Sequence, residues 1–122
     1  MYLRMRHGRH SWLCLLDSGC EKSIVPFRMV KHLPIRRSDE KLYAANSTRI
    51  ATLGVAEVAL NVAGFNLPVS AIVTEHVREP MLGIDWLRRY GCVMDYERDV
   101  IIVKGKTLKL ESKGPLQKNS HR

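Results

Sequence analysis

The chain has 122 residues, 45% hydrophobic and 26% charged, with a formal net charge of +8; this is the length and usage of one compact domain and excludes collagen, coiled coil and wholesale disorder. Such a chain buries roughly two thirds of the surface its unfolded form exposes, so it needs neither a disulfide nor a structural metal to make a core, and it is too short for two full lobes. The excess charge sits at the ends: Arg4, Arg6 and Arg9 face no acid in the first ten residues, six Lys/Arg face only Glu111 from 104 to 122, and eleven basic residues balance eleven acidic ones in between.

A neutral body with no stacking-aromatic or groove-helix motif argues against a dedicated nucleic-acid binder and leaves only weak contact through the basic termini. Cys14, Cys20 and Cys92 are odd in number and lack C-x-x-C spacing, so no zinc site, metal or disulfide framework is expected. This usage fits a reducing compartment. No run of about 18 apolar residues is present, so no membrane span is expected. The start reads as lacking a signal peptide, because the apolar stretch Trp12 to Leu16 runs straight into Asp17; the sequon Asn46-Ser47-Thr48 then reads as chance.

In chain order, Tyr2, Leu3 and Met5 precede Gly8, and Trp12 to Leu16 follow it, which predicts a hairpin whose second strand is fully buried and ends at the turn Asp17-Ser18-Gly19. Pro26 opens a short predicted helix over Phe27 to Leu33, stopped by Pro34. Lys41 to Leu60 reads as one long hairpin with the small polar tip Ala44-Ala45-Asn46-Ser47-Thr48. Phe65 to Val73 is a further predicted strand and Met81-Leu82 a short one ending at Gly83. Ile84 to Tyr90 carries Ile84, Leu87 and Trp86 at helical spacing and is closed by Gly91. Cys92 to Met94 and Val100 to Val103 are strands around a charged turn. A domain over 1–103 and a basic, partly disordered tail or linker over 104–122 complete the expectation.

One aspartate stands at the end of a buried apolar strand, in Leu15-Leu16-Asp17-Ser18-Gly19. Ionising a carboxylate there is costly unless hydrogen bonds or a second group share the burden, and chemistry is one reason to accept the cost. D-S-G alone is a common turn. The same chain, however, has a small-tipped hairpin some 25 residues later and the apolar-apolar-Gly element Met81-Leu82-Gly83 opening a helix.

These three features, in this order, resemble the retropepsins, the aspartic proteases of retroviruses and LTR retrotransposons, and look nearest to those of gypsy-type elements. LLDSGCEKSIVP (15–26) matches the active-site turn, YAANSTRIATLG (43–54) the flap, and PMLGIDWL (80–87) the second conserved strand and helix. The resemblance implies a mainly β fold, a small closed barrel-like acid protease with one short C-terminal helix and a flap hairpin, working as a homodimer. It implies an endopeptidase that cleaves a retroelement polyprotein without a cofactor, cytoplasmic and inside a virus-like particle. Asp17 would be catalytic and Ser18 and Gly19 would support the turn. Cys20, Glu21, Ala44, Ala45, Asn46 and Ser47 would meet substrate, and Met81, Leu82 and Ile84 would shape apolar subsites or support the catalytic turn, with plain packing as the competing reading for Cys20, Met81, Leu82 and Ile84. Asp85 reads as charge compensation at a helix N-terminus.

There are departures from the pattern. Ser18 replaces the usual Thr, Ser47 follows Asn46 where family flaps often carry Gly, and Ile84 stands where retroviral relatives place an Arg, so that residue's ion pair is absent. The chain holds one D-[ST]-G, so the second carboxylate must come from another copy. Two other readings remain: a catalytically silent dimerisation module of this fold, and a cellular relative such as the protease domain of ubiquitin-shuttle proteins.

Overall fold

The computed structural model describes residues 1–112. Strands β1 (Tyr2–His7) and β2 (His10–Leu16) form an antiparallel hairpin with Tyr2 opposite Leu15 and His7 opposite His10. Gly8, at φ +60°, accommodates the two-residue turn. Leu3, Met5 and His7 alternate inward on one strand and Trp12, Cys14 and Leu16 on the other. Leu13 and Leu15 are only half-buried, so the expected fully buried strand is a one-sided one. An unbroken apolar run cannot tell these cases apart, because the second face is covered by whatever else folds onto it.

β3 (Ile24–Pro26) leads into a 3₁₀ turn over Phe27–Met29 rather than a helix reaching Leu33. Val30 N–H donates to the Phe27 carbonyl and Leu33 N–H to the Val30 carbonyl, each at 3.0 Å, two successive tight turns that Pro34 ends. The expected long hairpin is likewise divided. Among the described residues β4 (Leu42–Tyr43) and β5 (Arg49–Ile50) pair only with each other, while β6 (Gly54–Val58) joins the main sheet. The division falls at Gly54, where φ is +136° and a Cβ would stand 2.3 Å from the Arg36 carbonyl oxygen. Only glycine lets these two chain segments cross there.

β7 (Asn61–Val62), β8 (Phe65–Asn66) and β9 (Val69–Thr74) follow, so the strand expected over 65–73 is broken at Leu67-Pro68. The break serves α1 (Ile84–Arg89), which follows β10 (Met81–Leu82). The indole N–H of Trp86 donates to the Leu67 carbonyl at 3.0 Å and the Tyr90 hydroxyl to the Pro68 carbonyl. Gly91, at φ +59°, ends the helix as its sequence position predicts.

The last strands of the described residues are β11 (Val93–Asp95), β12 (Val100–Val103) and β13 (Lys106–Lys109), a three-stranded meander. β13 corrects the expectation of a tail from Lys104. Lys104 (φ +52°) and Gly105 (φ +79°) form a two-residue turn that brings Lys106 opposite Val103. Glu111 and Tyr2 then exchange backbone hydrogen bonds, and the Glu111 carboxylate takes both Nε and Nη2 of Arg4 at 3.0 Å. The rest of the expected tail, 113–122, lies outside the described residues.

The main sheet has the order β6-β9-β3-β10-β2-β1-β7-β8, with β3 parallel to β9 and β10 parallel to β2. It curls around a core that includes Met5, Trp12, Cys14, Leu60, Trp86 and Ile101. The architecture is mainly β, with one short α-helix among the described residues. No helix of the described residues is long and apolar enough to cross a membrane.

Cys14 is fully covered, and burial pushes its thiol up to about 12. The unfolded chain ionises a thiol near pH 8.5 and the folded one does not, so this residue's contribution is intact below that pH and is lost as pH rises toward the folded value. About 2 kcal/mol should be gone by pH 10. Urea denaturation at pH 7.5 and 10 should show this loss, and Cys14→Ala should reduce it; alkylation of Cys14 should require unfolding.

Candidate active site

The turn after β2 is built from both sides. Asp17 N–H donates to the Leu82 carbonyl at 3.0 Å, continuing the parallel β2–β10 ladder by one residue. The Asp17 carbonyl accepts from Cys20 N–H at 3.1 Å, and its Oδ1 accepts from Gly19 N–H at 2.9 Å. The carboxylate is thus half-buried and held by one backbone donor, and Oδ2 has no hydrogen bond within the described residues. A Cβ on Gly19 would stand 3.3 Å from Oδ1, tight enough to push the carboxylate. Ser18 is exposed, and its hydroxyl makes no hydrogen bond within the described residues.

Beneath the turn lies a clamp that sequence reasoning did not find. Ser23 is 0% exposed; its hydroxyl donates to Asp85 Oδ1 at 2.8 Å and accepts from Gly83 N–H at 3.0 Å. Ser23 N–H donates to Asp85 Oδ2 at 3.0 Å, and Oδ1 also accepts from Trp86 N–H at 2.8 Å. Asp85 therefore does more than compensate the start of α1: it ties that helix to the segment after Asp17. Gly83 completes the junction, since a Cβ there would lie 2.3 Å from the Cys20 carbonyl, which accepts Ile84 N–H at 2.8 Å. A serine between Lys22 and Ile24 carries no sequence signal, because its partners lie some 60 residues away.

A second apolar cluster stands apart from the main core. Ile24, Leu42, Val55 and Ile72 form it, with Cys20, Ile50, Val77 and Met81 packed against them. It joins the base of the β4–β5 hairpin, through Leu42 and Ile50, to the residues just after Asp17. Of the residues expected to meet substrate, Cys20 and Met81 belong here. Glu21 is exposed, Ala44 half-buried, and Ala45, Asn46 and Ser47 exposed at the hairpin tip. Leu82, at 1% exposure, is sealed in the main core and does not face a cleft; it supports the turn through its carbonyl. Ile84 packs against the same core.

At the tip, Ser47 N–H donates to the Ala44 carbonyl at 2.9 Å and Thr48 N–H to Asn46 Oδ1 at 3.1 Å. Ser47 sits at φ +69°, the left-handed conformation that glycine adopts freely and serine only at a cost.

The arrangement favours carboxylate over thiol chemistry. Burial, reinforced by the charges of Asp17, Asp85 and Glu21, pushes the Cys20 thiol up, which keeps it protonated at neutral pH and a poor nucleophile. Among the described residues no group of three metal-binding side chains is assembled.

This geometry has solved counterparts. The retroviral protease-like domain of Ddi1 from Leishmania major superposes with a TM-score of 0.75 over 93% of this chain and 94% of that one, at 18% identity. EIAV protease complexed with the inhibitor HBY-793 gives 0.59 over 75% and 88%, at 17% identity. The chain has the retropepsin fold. In sequence it is similar to DNA damage-inducible protein 1 of Candida glabrata, 23% identical over 98% of the chain, and to protein DDI1 homolog 1 of Bos taurus, 27% identical over 84%. It spans 29% and 27% of those relatives' lengths. No family model matches the chain.

The clamp predicts a graded response. Asp85→Ala leaves a buried hydroxyl and two amides without their acceptor and should cost about 2–4 kcal/mol. Asp85→Asn keeps one acceptor oxygen and should cost less. Thermal denaturation of both variants measures this; equal stabilities would remove the clamp from the account.

Proposed function

We propose that this chain is an aspartic endopeptidase of the retropepsin type, with Asp17 as its catalytic residue and a second copy of the chain supplying the other carboxylate. The observation that carries the reading is the Asp17 turn itself: one half-buried carboxylate, fixed by Gly19 N–H and by the ladder to Leu82, beside an apolar cluster continuous with a separate hairpin.

Two such carboxylates about 3 Å apart share a proton, because both cannot ionise at that range. The ionised one takes a proton from water as the water oxygen attacks the scissile carbonyl; the protonated one gives its proton to the carbonyl oxygen. Collapse of the tetrahedral species then breaks the C–N bond as the amine leaves protonated. In this reading Ser18 and Gly19 hold the turn and Ser18 bonds across the two-fold axis. Cys20, Met81 and their neighbours accept apolar side chains, Glu21 lies at the cleft rim, and Ala44 to Ser47 close over the peptide as a flap.

For the substrate, the resemblance of the three motifs to those of gypsy-type elements supports a retroelement polyprotein, cleaved within a virus-like particle. The similarity to Ddi1-type domains over most of the chain supports a second reading, a cellular protease domain. A precursor with polyprotein segments on both sides should release the domain in the first case, and its Asp17→Asn form should stay intact.

Asp17→Asn should abolish cleavage of a peptide library without unfolding the domain. Activity per chain should rise with concentration to a plateau, and excess Asp17→Asn chains should poison the wild type through mixed dimers. Initial rates across a dilution series, paired with sedimentation, decide this; full activity in monomeric samples would place both carboxylates in one chain. The pH profile should be bell-shaped with an acidic optimum, since the two apparent pKa values belong to the pair. A rate still climbing at pH 9 would indicate different chemistry.

A further inference from the structure

A second buried hydroxyl, outside the Ser23 clamp, joins three segments of the chain. Thr74, the last residue of β9, is 0% exposed. Its Oγ1 donates to the Ala51 carbonyl at 2.7 Å and accepts from His76 N–H at 3.2 Å. Ala51 begins the leg that runs from β5 to β6, and two residues on, Leu53 N–H donates to the Val73 carbonyl at 2.8 Å. His76 lies in the loop from β9 to β10, the strand whose Leu82 carbonyl holds Asp17 N–H. That loop is fixed further along: Arg28 Nη2 donates to the Arg78 carbonyl, the Tyr2 hydroxyl to Glu79 Oε2 at 2.9 Å, and Leu15 N–H to the Pro80 carbonyl at 2.9 Å. On the hairpin side, Tyr43 in β4 and Leu53 in the return leg leave large apolar side chains exposed.

We propose that Thr74 is a positioning residue for peptide binding: its hydroxyl pins the return leg of the β4–β5 hairpin and couples movement of that hairpin to the 75–80 loop. The proposal rests on the reading of the hairpin as a flap that closes over an extended peptide. Among the described residues β4 and β5 pair only with each other, so the hairpin is held by its two legs and by the apolar contacts of Leu42 and Ile50. Apolar contact is non-directional and lets a ribbon rock on its base. A hydroxyl that gives its one hydrogen to Ala51 and accepts from His76 is directional at both ends, and each bond polarises the oxygen for the other. Thr74 is fully covered, so releasing Ala51 leaves the hydroxyl proton without a partner, which holds the leg in one place. Closure of the hairpin is thereby transmitted to the loop, whose Val77 packs in the same apolar cluster as Cys20 and Met81. Thr74 makes no contact with the Asp17 carboxylate, so it acts on how a peptide is held and not on the proton transfers.

Thr74→Val removes the hydroxyl and keeps the shape; Thr74→Ser keeps the hydroxyl and loses a methyl group. Amide hydrogen exchange of the full chain, resolved by residue, should be about tenfold faster at Leu53 and His76 in Thr74→Val, with the β1–β2 amides unchanged, and restored in Thr74→Ser. On a peptide that the wild type cleaves, Thr74→Val should raise KM about tenfold and leave kcat within about twofold, and Thr74→Ser should recover the wild-type KM. Val58→Ala, at the opposite end of the β6–β9 ladder, is the control for plain loss of stability and should leave both Leu53 exchange and KM as in the wild type. Unchanged exchange at Leu53 and His76 in Thr74→Val, equal acceleration in Val58→Ala, or a fall in kcat at constant KM would overturn the pin. If the wild type cleaves no peptide, the reading of Asp17 fails, and the exchange rates alone decide the role of Thr74.

Discussion

A buried serine hydroxyl holds the candidate site together. Ser23 donates to Asp85 and accepts from Gly83 N–H, linking the segment after Asp17 to the segment that opens α1. Water cannot replace either partner at a fully covered atom, so the two segments either meet in this geometry or leave polar groups unpaired. Gly83 makes the meeting sterically allowed, because any side chain there would strike the Cys20 carbonyl. The position of Asp17 depends on this junction: its N–H bonds to Leu82, the residue immediately before Gly83.

From that junction the rest of the site follows by adjacency. β10 lies between β2 and β3, parallel to the first and antiparallel to the second, so the residues before and after the turn flank one short strand. The side chains of Cys20, Ile24 and Met81 are thereby gathered into an apolar cluster separate from the main core. Leu42 and Ile50 dock the β4–β5 hairpin on it, while among the described residues the two strands pair only with each other. A two-stranded ribbon alone is marginally stable, so it takes its order from this docking and keeps an exposed tip. The departure from an Arg after Gly83 is accommodated in the same place, where Ile84 joins the core and Asp85 supplies the tie.

Where sequence reasoning erred, the cause was a tertiary partner outweighing a local pattern. Phe27 to Leu33 has helix-compatible residues, but only successive i→i+3 bonds form before Pro34. Residues 65–73 read as one strand, yet Leu67 and Pro68 leave the ladder so that their carbonyls can receive Trp86 and Tyr90. β13 had a usable signal: Lys104-Gly105 between Val103 and the alternating Thr107-Leu108-Lys109-Leu110 is a hairpin pattern, obscured by the basic composition of the chain end.

The sequence by itself determined the strand-rich class, the hairpin ending at Asp17, the short helix closed by Gly91 and the presence of a single D-S-G turn, because these depend on local periodicity and on glycine's backbone freedom. Only the tertiary structure decided that Ser23 and Asp85 form the clamp, that Leu82 is core while Met81 meets the second cluster, and that Thr74 joins the leg after β5 to the loop before β10. Those relations join residues up to some 60 positions apart. They rest on which faces are covered when the sheet curls, and no window of the chain encodes that.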